Sequence, residues 1–109
     1  MDIATEAKYL LCGLPALISE RTLNIVVCSS RDRIRFEKKL YEDLIRDKIT
    51  FSSYNKTIFK NGGEIIWKSG GIMRGYSASI IVLIGLDENS KEYSDLLPCT
   101  KYGTKIYIV

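Results

Sequence analysis

Two adjacent carboxylates, Asp87 and Glu88, follow the apolar run Ile80–Ile84 (IIVLI) and the dipeptide Gly85-Leu86. An unbroken apolar run of this length reads as a central parallel strand covered on both faces, so the two acids stand near a strand tip. A pair placed there suits magnesium-dependent phosphoryl chemistry. Asp87 would hold the metal, and Glu88 would orient or deprotonate an attacking water. The plainer alternative is a solvated acidic turn. Upstream, Arg74-Gly75 offers a guanidinium to phosphate oxygens on a backbone that glycine lets approach closely; its plainer alternative is a surface arginine in a turn. Ser29 and Ser30 directly follow a second β-branched run, Leu23–Cys28 (LNIVVC). Ligands of parallel sheets gather at the carboxyl ends of strands, which makes these serines secondary candidates for holding a nucleotide.

Another constellation surrounds Asn61-Gly62-Gly63. Tyr54, Lys56, Phe59, Lys60, Trp67 and Lys68 interleave aromatics with cations, a pattern that stacks bases and neutralises phosphates. The same aromatics would serve equally as the buried face of a hairpin, with Ile65 and Trp67 on one side and Ile66 and Lys68 on the other. Residues 31–48 carry seven lysines and arginines offset by five acids, which reads as a solvated helix face with i,i+4 ion pairs or as a weak nucleic-acid surface.

The elements that must position these groups follow from hydrophobic period. Ala4, Ala7, Leu10, Leu11 and Leu14 recur at helical spacing, and Gly13 and Pro15 punctuate that helix. Residues 31–48 form the clearest helix, with Ser29 and Asp32 as its capping arrangement. Phe36, Leu40, Tyr41, Leu44 and Ile45 make its apolar face, opposite Arg31, Arg35, Lys38, Lys39, Glu42 and Arg46. From Ile49 the period changes to two, and Asn61-Gly62 between β-like runs signals a hairpin whose return strand is Glu64–Lys68. Ser69-Gly70-Gly71 is a flexible joint, Asn89–Asp95 a polar segment, and Lys105–Val109 a last strand. The expected fold is α/β: a single domain over residues 1–109, with a largely parallel sheet, an added β-hairpin and flanking helices.

Composition narrows the class further. The chain has 109 residues, 46% of them apolar and 27% charged, with a net charge of +3. One core is expected, and the mildly basic balance permits nucleic-acid contact without requiring it. Cys12, Cys28 and Cys99 are widely spaced, without a C-x-x-C pair, and histidine is absent, which argues against a zinc site or a disulfide framework. Cys28 in its apolar run reads as a core residue. Asp2 and Glu6 occupy the positions where a secretory signal carries positive charge, and an uncharged apolar stretch such as Ile80–Leu86 is too short to span a bilayer. A reducing, cytoplasmic location is expected, with no membrane partner.

In order along the chain, IVVCSS leading into a helix, FKNGGEIIW, GGIMRGYSASIIVLI and then Asp87-Glu88 resemble the ATPase domain of the large terminase subunit, the motor that packages viral DNA. The resemblance spans roughly Asn24 to Val109 and is most specific from Asn61 to Glu88. It implies an incomplete P-loop-NTPase-like core, with Mg2+ and ATP as cofactors, double-stranded DNA and a motor or portal-type protein as partners, an oligomer, and the host cytoplasm as the location. Asp87 would take the magnesium position, Glu88 the catalytic-base position and Arg74 a nucleotide- or DNA-sensing position. Lys105–Val109 would correspond to the strand that leads to the coupling motif. The sequence departs from the family in having no G-x-x-x-x-G-K-S/T loop to grip phosphates, no nuclease domain, and Gly85-Leu86 ahead of the acids. Hydrolysis by these 109 residues alone is therefore not expected. Two other classes stay open: a small non-enzymatic nucleic-acid- or protein-binding module using residues 54–68, with Lys56, Lys60, Trp67 and Lys68 as contacts, and a nuclease using Asp87, Glu88 and Glu64 as metal ligands.

Overall fold

The computed structural model describes residues 23–60, 62–69, 78–101 and 103–108. The helix expected over Asp2–Leu14, Cys12, Asn61, Arg74-Gly75 and most of the glycine joint at 69–71 lie outside them. Six strands form one mixed sheet: β1 (Leu23–Cys28), β2 (Ile49–Ser52), β3 (Lys56–Phe59), β4 (Glu64–Lys68), β5 (Ile80–Ile84) and β6 (Lys105–Ile108), in the spatial order β2-β3-β4-β1-β5-β6. The pairs β1–β4, β1–β5 and β5–β6 are parallel, while β2, β3 and β4 form an antiparallel meander. The expected α/β fold with a largely parallel sheet and an added hairpin is therefore present.

The two central strands explain the continuous apolar runs. Every residue of β5 is buried, as is every residue of β1 except Leu23, because helices cover both faces of this part of the sheet. On one face Val26, Ile65, Trp67, Ile80 and Val82 pack under Ile34 and Tyr41 of helix α1 (Arg31–Leu44) and under Ile45 just beyond its end. On the other, Ile25, Val27, Ile66, Ile81 and Leu83 meet Leu96 of the short helix α2 (Lys91–Leu96) and Cys99. Each fully buried aliphatic side chain contributes about 1.5–3 kcal/mol of hydrophobic stabilisation. As the alternation of β4 requires, Ile65 and Trp67 share the α1 face and Ile66 faces the opposite core.

Local chemistry sets the turns. Ser30 is extended and its hydroxyl accepts the Arg33 amide at 3.2 Å, so the N-cap is Ser30 rather than Ser29. Between β3 and β4 the Gly62 amide donates to the Phe59 carbonyl at 3.0 Å and the Phe59 amide donates to the Gly63 carbonyl at 2.8 Å. Gly62 has φ 89°, which suits glycine and closes the hairpin.

Three expectations are corrected. The 31–48 helix ends at Leu44 and is followed by a separate 3-10 turn, Arg46–Lys48, because Ile45 leaves helical geometry with φ −130° and ψ 28°. The stretch from Ile49 to Phe59 folds back at Ser53–Asn55 into two strands, with a register shift between Ile49 and Phe51. The polar segment after Asp87 forms α2, which contributes Leu96 to the second core.

The face of α1 is also rotated from the apolar pattern. Phe36 is 60% exposed and Leu40 is exposed, whereas Lys38 and Glu37 are buried. The cause is a polar network beneath the helix. Lys38 Nζ donates to Glu42 Oε1 at 2.9 Å and to Ser52 Oγ at 2.7 Å, and Ser52 Oγ donates to Glu42 Oε1 at 2.9 Å. Thr57 Oγ1 donates to Glu42 Oε2 and accepts the Trp67 indole N–H at 3.0 Å. The chain from Trp67 through Thr57 to Glu42, Ser52 and Lys38 ties the helix to three strands, because the buried Thr57 hydroxyl and the indole N–H need partners that an apolar helix face could not provide. Tyr41 meets the Trp67 ring edge-on at 5.6 Å between centroids.

Candidate functional site

The strand order has one reversal point. From β1 the chain proceeds to β4 on one side; from β5 it proceeds to β6 on the other. β1 and β5 are neighbours and run parallel, with Cys28 level with Ile84. The segments leaving their carboxyl ends, Ser29–Ser30 and Gly85–Glu88, are thus side by side, at the position where open α/β sheets form a ligand crevice. Lys68 ends β4 on the far side of β1, one step from this edge, with Val27 as its partner in register. The structure brings Ser29, Ser30, Asp87 and Glu88 to the same edge, as the sequence reading requires; Arg74 lies outside the described residues.

The loop after β5 is built from its own side chains. Gly85 has φ 71°, the left-handed region, which turns the chain out of the strand. Asp87 Oδ1 accepts the Asn89 amide at 2.9 Å, the Asp87 amide donates to Ser90 Oγ at 3.2 Å, and Ser90 Oγ donates back to the Asp87 carbonyl. One carboxylate oxygen of Asp87 is committed to this Asx-type turn and the other is left for a ligand. Asp87 and Glu88 are both exposed. Ser30 is engaged as the cap of α1, so of the two serines Ser29, also exposed, has the freer hydroxyl.

No group of three or more His, Cys, Asp or Glu side chains that could hold a metal ion occurs among the described residues. One or two carboxylates nevertheless fit magnesium, which keeps several waters and takes its remaining ligands from phosphates. The nuclease set fails on geometry. Glu64 begins β4, level with Leu23, at the amino end of the parallel strands. Five residues of strand separate that level from Cys28 and the Asp87 edge, about 16 Å. Glu64 instead lies 3.9 Å from Lys56 Nζ.

The expected basic and aromatic stripe on the hairpin is also divided. Trp67 is 4% exposed on the α1 side, and its ring is enclosed by the core, so no base can stack on it. Lys56 and Lys68 fall on the opposite face of the sheet by strand alternation, and Lys60 is exposed in the turn after β3. Tyr54 leaves this group altogether, since the β2–β3 turn carries it towards α1, where it lines a groove with Arg35 and Lys39. The i,i+4 spacing of those two cations was visible in the sequence, but their aromatic neighbour depends on the turn at Ser53–Asn55.

Cys28, at the tip of β1, is a core thiol as its apolar context implied. Burial, reinforced by the Glu37 carboxylate and opposed by Arg33, pushes its pKa up to about 11. It is protonated at neutral pH and is a poor nucleophile or metal ligand. Burial likewise raises the pKa of Cys99, against the opposing effect of Lys68. Among the described residues no helix is long and apolar enough to cross a membrane.

No family model, curated protein or solved structure matches the chain.

Proposed function

We propose that this domain is a part or a degenerate relative of a DNA-packaging, terminase-like ATPase, contributing an acidic strand tip but no phosphate-binding loop. The observation that supports this reading is the adjacency of β1 and β5 at the reversal point of the sheet, with Ser29–Ser30 beside Asp87–Glu88. Asp87 would hold Mg2+ through the oxygen that the Asn89 amide leaves uncommitted, and the ion would supply charge neutralisation on the phosphates of ATP. Glu88, exposed beside it, is the group that would accept a proton from water. Ser29 offers a hydroxyl to a phosphate oxygen from the neighbouring strand. Double-stranded DNA and a motor or portal-type protein are the partners this reading assigns, with an oligomer as the working form.

Binding of a fluorescent ATP analogue, followed at millimolar Mg2+ and after chelation, tests the role of Asp87. Weak, magnesium-dependent binding is expected, reduced at least tenfold in Asp87→Asn with an unchanged circular dichroism spectrum. Equal binding by Asp87→Asn, or no binding at millimolar analogue with magnesium, would remove the acidic pair from nucleotide chemistry in this domain.

The alternative reading, a nucleic-acid-binding module built on residues 54–68, loses Trp67 to the core but retains an exposed Tyr54 and Lys60. The groove against α1 gives it a different location.

A further inference from the structure

We infer that the groove between α1 and the β2–β3 turn binds single-stranded nucleic acid, with phosphates on Arg35 and Lys39 and an unstacked base on Tyr54. The groove encloses about 310 Å³. Its walls are one flank of α1, from Arg35 to Asp43, with Arg46 of the following 3-10 turn and Tyr54.

Its charge is decided by which groups are already paired. Four cations, Arg35, Lys38, Lys39 and Arg46, face two carboxylates, Glu42 and Asp43. Glu42 is turned inward, bonded to Lys38, Ser52 and Thr57. Asp43 is taken by Arg46 at 2.6 Å. Arg35 and Lys39 form no ion pair with a described residue, so the groove keeps an excess of two positive charges. Their i,i+4 spacing sets them about 6 Å apart on one helix face, within reach of one phosphodiester or two adjacent ones.

Tyr54 supplies the second half of the recognition. It is 80% exposed and makes no hydrogen bond to a described residue, although a tyrosine on a turn would ordinarily lay its ring on neighbouring apolar surface. The turn beneath it is fixed. The Ser53 amide donates to the Lys56 carbonyl at 2.9 Å, the Trp67 amide donates to the Asn55 carbonyl at 2.9 Å, and Ser53 Oγ donates to Asn55 Oδ1 at 3.3 Å. The Lys38–Glu42–Ser52–Thr57 network locks α1 to the strands on either side of this turn. The backbone positions that carry the ring and the two cations are therefore held at a preset separation, which lowers the ordering cost of binding.

The ligand class follows from the ring. An exposed aromatic beside unpaired cations matches a single strand, whose bases are free to stack, whereas the base faces of a duplex are hidden in its own stack. An acidic peptide would leave the exposed Tyr54 ring without a stacking partner, although Phe36 and Leu40, at i,i+3 spacing from Lys39 and Asp43 on α1, stand beside the groove.

Fluorescence anisotropy with a labelled twelve-nucleotide oligo-dT, a duplex of equal length and a polyglutamate peptide, between 50 and 200 mM salt, decides the matter on the full chain. The single strand is expected to bind best. Tyr54→Ala should weaken that binding about tenfold, the loss of one stacked base. The double variant Arg35→Ala/Lys39→Ala should weaken it and reduce the slope of log K against log salt by about 1.4, roughly 0.7 for each phosphate no longer neutralised. Lys91→Ala, on α2 across the sheet, should bind as the parent does. All four side chains are exposed, and the circular dichroism spectra of the variants should match that of the parent. Any of the following would overturn the inference: no binding of the single strand at 50 mM salt, equal or tighter binding of the duplex or of polyglutamate, unchanged binding by Tyr54→Ala and by the double variant, or an equal loss in Lys91→Ala. None of these readouts involves Asp87 or magnesium, so the result is independent of the nucleotide experiment.

Discussion

Replacing Glu42 by alanine removes the central acceptor of the network beneath α1. Its two carboxylate oxygens accept from Lys38, Ser52 and Thr57, and the side chains of Lys38 and Glu42 are only 11% and 14% exposed. Breaking a buried ion pair by removing one partner costs about 3–5 kcal/mol, chiefly because the other charge is stranded. Two features place Glu42→Ala at the lower end: the pair touches solvent, and Lys38 keeps its bond to Ser52. A loss of about 3 kcal/mol is expected, equivalent to roughly 12 °C in Tm for a domain of this size. Urea unfolding measures it directly. Trp67, the single tryptophan, reports through its fluorescence because its indole N–H donates to Thr57 in the same network. The double variant Lys38→Met/Glu42→Met, which removes both charges and keeps apolar volume, should recover at least half of the loss. A loss under about 1 kcal/mol in Glu42→Ala, or a double variant no more stable than that single variant, would show that Lys38 escapes to solvent and that the network is not what rotates the helix.

Two further predictions concern the strand tips. The neutral thiol of Cys28 is the form the fold favours, with a pKa near 11 against an ordinary 9.0, so its contribution is complete below pH 9 and is lost as pH rises from 9 to 11. Stability should fall by at most about 3 kcal/mol over that interval, and the fall should be smaller in Cys28→Ala; parallel pH profiles for the two proteins would refute the assignment. Gly85→Ala meets no atom within 4 Å of the new Cβ but must adopt φ 71°. It should cost about 1–2 kcal/mol in urea unfolding without a change in m-value, and a neutral effect would mean that the turn relaxes away from the left-handed region.

The sequence by itself determined the fold class and the central strands. The run Ile80–Ile84 has no polar position to expose and Leu23–Cys28 has only Asn24, so both faces had to be covered, and Asn61-Gly62 between β-like runs required a hairpin. It also located Asp87 and Glu88 at a strand tip, because charge following an apolar run marks where a buried strand emerges. Tertiary structure decided what period alone could not. Lys38 and Glu42 have the composition of a solvated face, yet they turn inward because Ser52, Thr57 and Trp67 arrive from three strands with donors and acceptors to satisfy. Phe36 and Leu40 fit an apolar face and are exposed, since the helix rotates to serve that network. Glu64 was separated from Asp87 by strand direction, and Tyr54 was brought to Arg35 and Lys39 by a turn whose neighbours lie far along the chain. Hydrophobic period reports which positions can be buried; pairing of polar groups across distant segments fixes which ones are.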